Sequence, residues 1–238
     1  MASSTMTVTA EIQRFDPTTD EQPRFETFTV TGSDNMRVLD VIRSIYENQA
    51  GDLAYQFACR IGRCGTCAVR VNGVSVLACQ ERCKSTMRIE PLRPFQVLRD
   101  LVVDRSEIEG RLEELKLAPL RSAPHPGVPE PITPKRAEEL CHMDSCLLCM
   151  VCVSACPAVE ERPFAGPAFM LKLRQLAKHP QDTRNRLEQA VEHGMLECFN
   201  CDVCTQVCPA DLSPAQAIRE FRKELMFGGN RTSERKPG

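Results

Sequence analysis

Cys146-Leu-Leu-Cys149-Met-Val-Cys152-Val-Ser-Ala-Cys156-Pro157 and Cys198-Phe-Asn-Cys201-Asp-Val-Cys204-Thr-Gln-Val-Cys208-Pro209 are near-copies of one pattern, C-x2-C-x2-C-x3-C-P. The spacing has a physical reason. Two residues between thiols let a short loop curl around one face of a metal group with its backbone N–H groups aimed inward. Three residues then turn the fourth thiol away, and proline stops the turn from continuing. Zinc sites usually need only paired C-x2-C units, not two runs each closed by Cys-Pro. Disulfides are disfavoured because residues 1–14 show no export signal.

This is the spacing with which bacterial-type ferredoxins hold two cubane iron–sulfur clusters, the fourth Cys of each run crossing to the other cluster. On that pattern one [4Fe–4S] cluster takes Cys146, Cys149, Cys152 and Cys208. The second takes Cys198, Cys201, Cys204 and Cys156. Crossing ties together segments about forty residues apart in sequence, so metal loading and folding should be coupled.

Upstream, Cys59-Arg-Ile-Gly-Arg-Cys64-Gly-Thr-Cys67, with Cys79 further on, is the C-x4-C-x2-C…C spacing of plant-type [2Fe–2S] proteins. Gly62 and Gly65 suit a backbone that must wrap closely. Arg60 and Arg63 bring positive charge that favours a reduced cluster, or else face solvent or a partner. Cys83, four residues past Cys79, competes as fourth ligand; Cys79 is preferred because it ends the strand that returns to the loop.

Residues 6–15 alternate apolar and polar, Asp16-Pro17 breaks the run, and 25–30 reads as a strand pairing back. Ser33 or Asp34 is expected to cap a helix whose face is Val38, Val41, Ile42, Ile45 and Tyr46, with Gly51 ending it. Residues 68–71 and 74–78 flank Asn72-Gly73, a strong hairpin signal, and 87–92 reads as a closing strand. Residues 94–104 lead into a helix near 104–115. Residues 119–134 carry six prolines and read as an extended connector. Helices are expected from 135 onward: one opened by Pro134, one by Pro167 with the face Phe169, Met170, Leu173, Leu176 and Ala177, one over 182–193 closed by Gly194, and one capped by Ser213-Pro214 with the face Ala217, Ile218, Phe221 and Leu225. The tail 231–238 reads as disordered. The expected fold class is α+β: a plant-type ferredoxin β-grasp domain over 1–104, a helix and Pro-rich connector over 105–134, and an all-α bacterial-ferredoxin-like two-cluster domain over 135–230.

Composition narrows the function. A net charge of −2 gives no sign of nucleic-acid binding, and no Trp with only two Tyr leaves little for base stacking. No apolar run approaches the roughly 20 residues of a membrane span. The 14 Cys exceed ordinary cytosolic usage, which points to metal. His142 and Cys141 lie beside the first run, but the other thiols already satisfy the clusters.

A plant-type [2Fe–2S] segment followed by a two-cluster helical segment resembles the iron–sulfur subunit of succinate dehydrogenase and fumarate reductase. Cys59–Cys67, the stretch Pro91–Asp104 and Phe164-Ala-Gly-Pro167 carry the local likeness. The resemblance implies a non-catalytic electron-transfer subunit of an oxidoreductase in the tricarboxylic acid cycle, relaying electrons between an FAD-containing flavoprotein and a quinone near membrane-anchor subunits. It implies a cytoplasmic location, peripheral on the inner face of the cell membrane through partners. The [2Fe–2S] site would face the flavin, Cys146, Cys149, Cys152 and Cys208 the middle, and Cys156, Cys198 and Cys204 the exit. Many members lack a Cys at the place of Cys201 and carry [3Fe–4S] at the exit; with Cys201 present a second [4Fe–4S] is expected, or [3Fe–4S] if Cys201 stands aside. Family members that reduce ubiquinone have Trp after Cys-Pro and a His after the first Cys of the second run; here Ala158 and Phe199 stand there. An alternative is a thiol-dependent fumarate reductase with a separate heterodisulfide-reductase-like partner. A free ferredoxin-like carrier is disfavoured, since a diffusing carrier needs only one or two clusters.

Overall fold

A computed structural model describes residues 5–121 and 132–228. Most of the expected connector and all of the expected tail lie outside the described residues. In chain order the strands are β1 (Thr5–Arg14), β2 (Arg24–Ser33), β3 (Ala68–Val71), β4 (Val74–Leu77), β5 (Thr86–Glu90), β6 (Val97–Arg99) and β7 (Val102–Val103). The helices are α1 (Val38–Asn48), α2 (Ser106–Glu114), α3 (Pro134–Asp144), α4 (Val151–Ser154), α5 (Pro157–Glu161), α6 (Pro167–Ala177), α7 (Arg186–Glu192), α8 (Val203–Gln206) and α9 (Pro214–Phe227), with a 3₁₀ turn at Met195–Glu197. The chain forms two units, 1–106 with 147–155, and 107–146 with 156–238.

In the first unit a mixed five-stranded sheet runs β2-β1-β5-β3-β4. β1 pairs antiparallel with β2, Val8 opposite Val30, and parallel with β5, Ala10 opposite Met87. The expected closing strand is therefore central. The alternation in β1 buries Val8, Ala10 and Ile12 on one face. α1 lays Val38, Leu39, Val41, Ile42 and Ile45 into the same unit's core. Each buried aliphatic side chain on this face contributes about 1.5–3 kcal/mol to the unit. Two expectations change here. The cap is not Ser33, which ends β2, but Arg37, whose backbone N–H donates to Asp40 Oδ2 at 2.9 Å. Tyr46 is 41% exposed; it turns outward to meet Tyr55, and Leu39 takes the buried place.

Asn72 (φ 50°) and Gly73 (φ 82°) make the tight β3–β4 turn, both in the left-handed conformation such hairpins require. Beyond β5 the chain forms the small β6–β7 pair before α2, where the sequence reading had a plain lead-in to a helix. Asp100, in its turn, is 2% exposed and accepts from Arg14 Nε (3.1 Å), Phe15 N (2.8 Å) and Ala54 N (2.8 Å). Arg14 is also bonded to Glu26 and Asp52, so this buried cation is fully partnered.

Among its described residues, the regular elements of the second unit are all helical. Thr133 caps α3 ahead of Pro134, and Pro167 and Pro214 open α6 and α9 as read from the sequence. Ser213 caps α9 without a side-chain hydrogen bond. α6 packs against α9, α7 and α3. Phe169, Met170 and Leu173 of α6 and Ala217, Ile218 and Phe221 of α9 are buried, whereas Leu225 is exposed. The expected helix over 182–193 is shorter, Arg186–Glu192, because Asp182 is used otherwise. Its carboxylate accepts from Leu120 N (2.9 Å) and pairs with Arg186 Nε at 2.5 Å. Arg186, 2% exposed, donates in turn to the carbonyls of Leu115 and Ala118.

Candidate metal centres

The loop Cys59–Cys67 has no regular structure, and its path needs left-handed backbone at Arg60 (φ 59°), Gly62 (φ 71°) and Gly65 (φ 72°). These turns bring the thiols inward. Arg63 N–H donates to Cys59 Sγ at 3.2 Å. Burial pushes the Cys64 thiol up, but hydrogen bonds with Cys59 and Thr66 outweigh it and bring it down to about 6. Burial drives Cys67 up to about 12, helped by Cys79 and Cys64 beside it. Cys79 lies two residues past β4, 6% exposed, with the Gln80 side-chain amide 3.7 Å from its sulfur. The four thiols Cys59, Cys64, Cys67 and Cys79 thus face one another. Cys83 faces elsewhere: burial and the charge of Asp40 push its thiol up to about 11, and Arg37 and Glu81 are its other charged neighbours. An open cavity of about 410 Å³, lined by Arg37, Asp40, Arg60, Ile61 and Gln80 among others, adjoins Cys79.

The two C-x2-C-x2-C-x3-C runs have the same backbone. Leu148 (φ 48°) and Met150 (φ 64°) in the first match Asn200 (φ 62°) and Asp202 (φ 62°) in the second. Each run then turns into a four-residue helix, α4 carrying Cys152 and α8 carrying Cys204. Asn and Asp tolerate the left-handed region; Leu and Met are strained there and persist only where the surroundings hold them. For residues 147–155 those holds lie in the first unit. Ser154 Oγ accepts from Arg93 N (3.0 Å) and bonds Ser75 Oγ (3.0 Å), and Arg105 Nη2 donates to Leu148 O (2.7 Å). Ser75 is 2% exposed.

In the second unit, burial pushes the Cys204 thiol up to about 12, with Cys156, Cys198 and Cys201 adding to the rise. Burial likewise raises Cys156, which has Cys198 and Cys201 as neighbours. These four thiols, drawn from both runs, therefore meet. Asn200 N–H points to Cys198 Sγ at 3.4 Å, and Leu212 N–H to Cys208 Sγ at 3.4 Å. Cys146 and Cys208 pack against one apolar cluster of Met143, Leu171, Leu212 and Ala217. Arg222 Nη2 donates to the carbonyls of Met195, Leu196 and Cys198, and Arg219 Nη1 bonds both Asp202 oxygens at 2.7 and 2.9 Å. These arginines fix the second run, and nothing in the spacing of the cysteines announced them. Cys201 is exposed, as are Cys141 and His142 on α3.

The donor chemistry fits iron–sulfur groups: thiols in fours, several of them buried, with backbone N–H groups aimed at sulfur. Among the described residues no group of three or more His, Cys, Asp or Glu closes around a single metal ion. Among the described residues no helix is long and apolar enough to cross a membrane.

Comparison with known proteins agrees. A family described as "2Fe-2S iron-sulfur cluster binding domain" matches residues 9–110, and one described as "4Fe-4S dicluster domain" matches 142–212. A subunit of the fumarate reductase (CoM/CoB) of Methanothermobacter marburgensis is 35% identical over 217 residues, covering 90% of this chain and 44% of that protein. An uncharacterised iron–sulfur protein of Methanocaldococcus jannaschii is matched over 40% of its length, so the chain spans less than half of these two relatives. The fumarate reductase iron–sulfur subunit of Haemophilus influenzae is 30% identical over 243 residues, covering 94% of each chain. In solved structures, a chain of the Mycobacterium smegmatis Sdh1 complex in the apo form superposes with a TM-score of 0.82 at 27% identity, over 93% of this chain and 96% of that one. With a first unit built on a 2Fe–2S domain and a dicluster domain following it, this chain belongs to the family of iron–sulfur subunits of succinate dehydrogenase and fumarate reductase.

Proposed function

We propose that the chain relays single electrons between an FAD-bearing flavoprotein that acts on succinate or fumarate and a quinone held with membrane-anchor subunits. In this reading Cys59, Cys64, Cys67 and Cys79 hold a [2Fe–2S] cluster on a β-grasp domain. Cys146, Cys149, Cys152 and Cys208 hold a [4Fe–4S] cluster, and Cys156, Cys198, Cys201 and Cys204 a second. The observation that carries it is the meeting of Cys156 with Cys198, Cys201 and Cys204, which the crossing pattern requires and two independent C-x2-C sites do not. When bound, the clusters supply one-electron redox chemistry. The chain supplies the rest. Its thiols hold the iron, its N–H groups stabilise negative charge on sulfur, and burial keeps water from Cys67, Cys79 and Cys204. Location at the inner face of the cell membrane follows from the anchor partners.

A second reading has one specific support, the 35% identity to a CoM/CoB fumarate reductase subunit more than twice as long as the matched stretch. There the exit electrons would serve thiol chemistry on a separate polypeptide. The test is the native complex, tagged on this chain and purified anaerobically. Succinate-dependent dye reduction with a copurifying FAD protein, followed by quinone reduction, is expected. An intact flavin complex inert to succinate and fumarate would overturn the dicarboxylate reading, and thiol-dependent fumarate reduction would establish the second.

A further inference from the structure

We infer that Gly65 is a positioning residue: its missing side chain sets the gap across which an electron passes from the group held by Cys64 to the group held by Cys149. The inference rests on the ligand reading above.

Gly65 follows Cys64 directly and lies in left-handed backbone, φ 72°. A β-carbon there would lie 2.6 Å from Cys149 Cβ and 2.9 Å from Cys149 Cα. Cys149 is 7% exposed. Both residues belong to the first unit, where Ser154 and the Leu148 carbonyl pin the Cys149 run. Neither partner is a flexible side-chain tip that swings away. Gly62 and Gly73, the neighbouring left-handed glycines of the same unit, differ sharply. At Gly62 an added β-carbon meets only the Gln80 side chain, at 3.0 Å, and at Gly73 it meets nothing within 4 Å.

The two cysteine loops therefore come close where Gly65 presents no side chain to Cys149. A methyl group on Gly65 must move them apart by about 1 Å to reach ordinary carbon–carbon separation. Electron tunnelling falls exponentially with distance, so this gap governs the first internal step. With the groups bound, one electron would leave the group held by Cys64 and enter the group held by Cys149. No bond or proton is exchanged, and the flavoprotein of the proposed function supplies the electron.

The test uses the anaerobically purified native complex as wild type, Gly65→Ala, Gly62→Ala and Gly73→Ala. Iron and sulfide are assayed first; chains lacking them would overturn the cluster reading and this inference with it. The dithionite-reduced complexes are then compared by EPR, reading how strongly the second reduced cluster speeds spin relaxation of the first. Enhancement is expected in wild type and Gly73→Ala and weakened in Gly65→Ala. Wild type without enhancement, Gly65→Ala indistinguishable from wild type, or an equal loss in Gly62→Ala would each overturn the inference, the last by assigning the effect to loop strain. If Gly65→Ala does not load, Ser75→Ala, which removes a hydrogen bond holding Ser154, is read in the same way: weaker enhancement supports the inference and unchanged enhancement overturns it.

Discussion

Cys79 and Cys83 stand four residues apart, and the sequence left them in competition. Their surroundings separate them: Cys79 acts on the Cys67 thiol, while Cys83 answers to Asp40, Arg37 and Glu81. Cys79→Ser is therefore expected to abolish the [2Fe–2S] signal of the loaded protein, and Cys83→Ser to leave it intact. EPR of the reduced variants checks this; the reverse pattern would exchange the two residues. Cys201 poses the second choice at this scale. It is exposed, yet Cys156 and Cys204 both feel it. Cys201→Ala is expected to convert the exit cluster to [3Fe–4S], seen as a new paramagnetic signal in the oxidised protein, where an intact [4Fe–4S]²⁺ centre is silent. Spacing singled these thiols out as candidate ligands. It carried no information on the residues that aim them, because Ser154, Arg105 and Arg222 act through backbone carbonyls and N–H groups far away in sequence.

Elements were legible where their signals are local. Pro134, Pro167, Ser213-Pro214 and Asn72-Gly73 all punctuate the chain where expected. Long-range demands erased the rest. Tyr46 sits at helical spacing with the core face but leaves it for Tyr55, and residues 182–185 give up helix so that Asp182 can meet Arg186 and Leu120 N–H. That pair is the polar pin of 115–120 against α7. Burial alone would raise the Asp182 pKa, but the hydrogen bonds and charge of Arg186 and the Leu120 N–H hold it below its usual 3.8. A carboxylate lowered in the folded state contributes stability that is present above its unfolded value. That stability is lost as pH falls through the folded value, so the loss lies below pH 3.8. Arg186→Met strands the buried carboxylate, and about 3–5 kcal/mol of stability is expected to go with it at neutral pH. Denaturant unfolding of the loaded chain at pH 7 and at pH 3 checks both statements. In the variant the gap to wild type should narrow at the lower pH, where Asp182 takes up its proton.

At the scale of the whole molecule, the first unit is a sheet and helix carrying one cysteine loop together with residues 147–155, and the second is a set of helices carrying the other run. The repeat in the sequence becomes a repeat in the backbone, with left-handed residues at matching places and a short helix under the third Cys of each run. Four thiols bound to one metal group would tie each run together, so removing the metal is expected to loosen the runs before the sheet. The wire itself is tested most directly by Mössbauer spectroscopy of the anaerobically purified chain, enriched in the iron isotope that technique reads. The expected spectrum is the sum of one [2Fe–2S] and two [4Fe–4S] clusters in a one-to-two ratio of clusters. A chain that holds zinc in place of iron, or a spectrum with a single cubane cluster, would contradict a three-cluster relay.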